Sequence, residues 1–174
     1  MDAQLLAAVD ALSNPSTDPS EHENHFSVVL QHVPARTSFA SLLRQVGDYL
    51  TNADANVRRL CTGLLADILS RAHNLGLEAS EATHMCSFFC SRLGDYPSVG
   101  PCLRALTALL RRHGHAVDGR CAPAIADAVF KEVHVPAMEQ KLRQAVFDMF
   151  SLMLDTPAYV ELLGVGCCLL LGRG

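Results

Sequence analysis

Cysteine and histidine are the residue types here with the richest potential chemistry. Cys86 and Cys90 stand four apart, a spacing that places both on one face of a helix, and His84 lies beside them. Three such side chains could begin a metal or cluster site. Structural zinc asks for four ligands, usually as paired C-x-x-C knuckles, and that pattern is missing. Phe88 and Phe89 fall between the two cysteines and suit packing, so the pair reads as core thiols. Cys167 and Cys168 are adjacent, so their side chains diverge and make a poor chelate. Gly164-Val165-Gly166 lacks the third glycine of a dinucleotide fingerprint. His22 and His25, beside Glu21 and Glu23, could share a helix face but have no third ligand, and read as a solvated polar face. His113-Gly114-His115 reads as a helix end, where a protonated His113 would sit well against the negative end of the dipole. No His-Glu-x-x-His, phosphate-binding glycine loop or nucleophile elbow occurs. The expectation is therefore no catalytic, cofactor-binding or metal-binding residues, and no enzyme.

Partner classes narrow by charge. Across 174 residues the formal net charge is −4, and 49% of residues are apolar against 18% charged. That is a globular composition with no broad basic surface, so direct nucleic-acid binding is not expected. The clusters Arg58-Arg59 and Arg111-Arg112 read as solvated helix faces. No run of about 18 uncharged apolar residues predicts a membrane span. The opening Met1-Asp2-Ala3 carries neither a cationic leader nor an Arg-rich transit pattern, and Asn14 is followed by Pro15, which disables its glycosylation signal. Cytoplasmic and nuclear localisation is the expectation, with the seven cysteines as thiols.

The elements that would carry these residues are helices. Leu and Ala dominate, aromatics are 6% and Trp is absent. A short helix is predicted over 3–12, a Pro/Ser-rich loop over 13–20, and a second helix around Phe26–Leu30 that Pro34 stops or kinks. From Ser38 the apolar residues recur at i, i+3, i+4, i+7, the mark of one buried helix face. Helices are predicted at about 38–50 and up to Ala72, the second after the capping turn Thr51–Asp54. Gly76 fits a helix end, and Ser80 an N-cap for a helix to Leu93. Others are predicted at about 98–113, 122–133 and 137–154, with breaks at 94–97, 114–119 and 134–136. A short apolar tail covers 167–174.

The second helices of three successive pairs superimpose. Val57, Val99 and Leu142 share a position at steps of 42 and 43. Leu60/Cys102/Ala145, Cys61/Leu103/Val146, Leu64/Leu106/Met149, Leu65/Thr107/Phe150 and Ile68/Leu110/Met153 continue the register. A helix-pair period of about 40–47 residues is that of HEAT and armadillo arrays. One pair cannot bury its apolar face alone, so neighbours stack and share a continuous core. The fold predicted is all-α: an α-solenoid of stacked antiparallel helix pairs, with residues 1–37 leading into repeats at about 38–73, 80–113 and 121–155.

Tyr49-Leu50-Thr51-Asn52-Ala53-Asp54-Ala55-Asn56-Val57-Arg58, followed by Leu64-Leu65-Ala66-Asp67-Ile68-Leu69, carries a family resemblance. So do Phe88-Phe89-Cys90-Ser91-Arg92-Leu93 with Asp95-Tyr96, and Val133-His134-Val135-Pro136 with Lys141-Leu142-Arg143 through Phe150. Together they resemble the N-terminal region of the HEAT-repeat adaptor of the cytosolic iron–sulfur assembly targeting complex. That family is named for methyl-methanesulfonate sensitivity and carries DNA-repair and transcription labels. The similarity covers roughly Ser38–Gly166. It implies a non-catalytic scaffold that brings apo client enzymes of DNA repair, replication and transcription to the assembly machinery, with partners that are proteins. In the family the contacts with complex partners belong mainly to distant C-terminal repeats. A HEAT scaffold outside that family, such as a transport module, is the alternative; a metal- or cluster-handling protein built on Cys86, Cys90 and His84 is a third reading. The turns at Asn52–Asn56 and Asp95–Ser98 are candidate contact points, although turn chemistry alone accounts for their polarity.

Overall fold

The structure is a computed structural model, and it describes residues 3–36, 39–72, 75–161 and 163. Among these, every regular element is a helix or a short 3-10 turn, so the all-α class expected from the periodicity is the class observed. The chain divides into two compact units, Met1–Leu77 and Glu78–Gly174.

The first unit holds α1 (Ala3–Ser13), α2 (His22–Arg36), α3 (Phe39–Gln45), α4 (Gly47–Leu50) and α5 (Ala55–Arg71). α1 packs against α2 and α5, and α4 packs against α5. Their shared core is Leu5, Val9, Phe26, Val29, Leu42, Val46, Cys61, Leu65 and Ile68, all with little or no exposed surface. Asp18 begins the 3-10 turn before α2 by accepting the Ser20 N–H at 2.9 Å. Asp54 caps α5 by accepting the Asn56 N–H at 2.8 Å, as the Thr51–Asp54 turn chemistry requires.

Several local expectations need correction. α2 does not stop at Pro34 but runs to Arg36. A proline so near a helix end removes one i→i−4 bond and costs the remaining turn little. The single helix predicted over 38–50 is two, parted at Val46, whose φ and ψ are −85° and 1°. The ladder still bridges the break, because Val46 N–H reaches Leu42 O and Leu50 N–H reaches Val46 O, both at 3.0 Å. Gly76 does not end a helix: α5 finishes at Arg71, with Ala72 N–H bonded to Ile68 O at 2.8 Å. Ser80 is not the N-cap of its helix. Glu78 holds that place, and its N–H donates to the Glu81 carboxylate at 3.2 Å, half of a capping box.

The second unit holds α6 (Ala79–Arg92), α7 (Val99–His113), α8 (Cys121–Glu132) and α9 (Gln140–Leu154). α9 starts three residues later than expected, because Val135–Ala137 forms a 3-10 turn and Met138 is extended. α6 pairs with α7; α6 also stacks on α8, and α7 on α9. First helices thus stack on first helices and second on second, the arrangement that a repeat of helix pairs predicts. α7 lies at the centre: Val99, Cys102, Leu103, Ala105, Leu106 and Leu109 are at most 2% exposed. Gly100 lets the second helices approach, since a Cβ there would stand 3.1 Å from Leu142 Cδ2. The break at 114–119 carries two buried apolar residues, Ala116 and Val117.

Candidate interaction surface

Most residues singled out by chemistry turn out to serve the fold. Cys86 is buried, Cys90 half-buried and His84 exposed, so the three do not face one centre. Cys86 meets the Cys121 thiol across the α6–α8 contact, and burial, then the neighbouring thiols, push the Cys86 thiol well above its ordinary range. Burial likewise pushes Cys90 up to about 11, and Cys61 and Cys102 each to about 12. Such thiols stay protonated at neutral pH and are poor nucleophiles and ligands. Among the described residues, no three His, Cys, Asp or Glu side chains gather as a metal site. Cys167, Cys168 and Gly164–Gly166 lie outside the described residues.

The expected solvated faces are partly structural. Arg71 reaches from α5 to α2, where its guanidinium donates to the Glu23 carboxylate at 3.1 Å and sits 4.4 Å from the centre of the Phe26 ring. That hydrogen bond holds the Glu23 carboxyl below its ordinary range. Glu23 therefore faces Arg71, and His22 and His25, both half-buried, join no ligand set. Arg58 donates to the carbonyls of Asn52 and Ala53 at 2.8 and 3.0 Å, fastening the turn ahead of its own helix. Arg59 and Arg111 are exposed. His113 is the last residue of α7 and is buried, while His115 is exposed.

Both turns proposed as contact points tie up several polar side chains internally, while Tyr96 in the second is 69% exposed. Asn52 Oδ1 accepts the Asp54 N–H at 2.8 Å. Ser98 Oγ donates to Asp95 Oδ2 at 2.8 Å, with Ser98 itself buried. Turn geometry accounts for them.

The surface that geometry does pick out was not among the sequence candidates. Phe130 on α8 is 75% exposed, and Phe147 and Leu154 on α9 are 59% and 61% exposed. Phe150 connects them, because its ring stacks on Phe130 with centroids 5.4 Å apart and planes 26° apart. Phe147, Phe150 and Leu154 follow i, i+3, i+7, so they form one ridge along α9. The repeat register contained the signal: Phe147 and Leu154 occupy the positions of Arg104 and Arg111 in α7. An apolar residue where the preceding repeat keeps arginine marks a changed surface.

Comparison with known proteins decides the family. Residues 43–165 match the family described as Dos2-interacting transcription regulator of RNA-Pol-II, under the name MMS19_N. The chain belongs to the MMS19 family. It is similar to the MMS19 nucleotide excision repair protein homologue of Dictyostelium discoideum, at 25% identity over 153 residues, covering 87% of this chain and 14% of that protein. It is similar to the mouse homologue at 32% identity over 114 residues, covering 63% of this chain and 10% of that protein. The human homologue gives 29% over 119 residues. The chain thus spans about a seventh or less of the curated relatives it matches. No solved structure matches. Among the described residues, no helix is long and apolar enough to cross a membrane.

Proposed function

We propose that this MMS19-family chain is a non-catalytic scaffold that contributes to presenting apo client proteins to the cytosolic iron–sulfur assembly machinery. Its clients act in DNA repair, replication and transcription, and it works in the cytoplasm and nucleus. The observation that supports the reading most is the family match over residues 43–165, whose description and relatives carry transcription and nucleotide-excision-repair names. The helix pairs are HEAT-like repeats at about 38–73, 80–113 and 121–155, each exposing residues that a partner can touch while its core stays closed.

The test is affinity purification. Residues 1–174, checked for helicity by circular dichroism, are used to capture proteins from a eukaryotic extract. Recovery of iron–sulfur enzymes or assembly-complex subunits is the expected result. A folded chain that recovers a different partner set, such as transport receptors, contradicts the iron–sulfur part and leaves a scaffold of another kind.

A further inference from the structure

We draw no further inference here: the strongest candidate, the apolar ridge of Phe147, Phe150 and Leu154 along α9 with Phe130 beside it, is an unpartnered face of the array, and nothing in the structure shows what covers it.

Discussion

α7 and α9 are the same helix written twice. Six positions keep register between them, five of them apolar in both, and the inward ones are buried in both: Leu103 and Val146, Leu106 and Met149, Leu110 and Met153 are each at most 5% exposed. Their outward positions part company. Arg104 and Arg111 give α7 a charged outer line; Phe147 and Leu154 give α9 an apolar one. The inward positions answer to packing, which every repeat must satisfy. The outward ones vary with the setting: their register partners in α5, Thr62 and Leu69, are buried, those in α7 are exposed arginines, and those in α9 are exposed and apolar.

The comparison breaks most visibly if inward and outward positions do not differ in stability. Leu106→Ala should cost about 3 kcal/mol, the transfer term plus a cavity in a filled core. Phe147→Ala should cost less than about 0.5 kcal/mol, as surface substitutions do. Chemical denaturation of both variants checks this. Equal losses would mean that Phe147 supports the fold as Leu106 does.

A smaller effect sharpens the link between the two helices. Gly100→Val places atoms where a Cβ alone already stands 3.1 Å from Leu142. We expect a loss of about 1–3 kcal/mol from overpacking. Gly47→Ala meets nothing within 4 Å and should be close to neutral or mildly stabilising.

The smallest effect belongs to the first unit, where Arg71 bonds Glu23. The Glu23 carboxyl is held below its ordinary range, so this contact favours the folded state once pH is above that range and loses its contribution as pH falls through the depressed folded value. Both groups are exposed, which keeps the effect slight. Glu23→Gln should flatten the thermal-stability profile slightly on the acid side, with no change in its shape near neutrality.

Much of this fold was legible from spacing alone. The helix stripes at 57–68, 99–110 and 142–153 follow from apolar period, and the Asp54 cap from its place before a stripe. The misreadings were local. Val46 and Gly47 part a helix whose apolar stripe runs on unbroken, and stripes do not report backbone angles. Ser80 has the right chemistry for an N-cap, but Glu78 occupies the place two residues earlier. The ridge escaped because an exposed phenylalanine and a buried one look alike in a stripe; only the arginines at equivalent positions in α7 distinguish them.

One measurement bears most directly on the scaffold reading: quantitative capture of iron–sulfur client proteins from extract by the folded 174-residue chain, beside a helical protein of similar size and charge. The chain should recover them at least about tenfold above that control, the margin of a specific contact. Equal recovery by the two would contradict a scaffold for such clients.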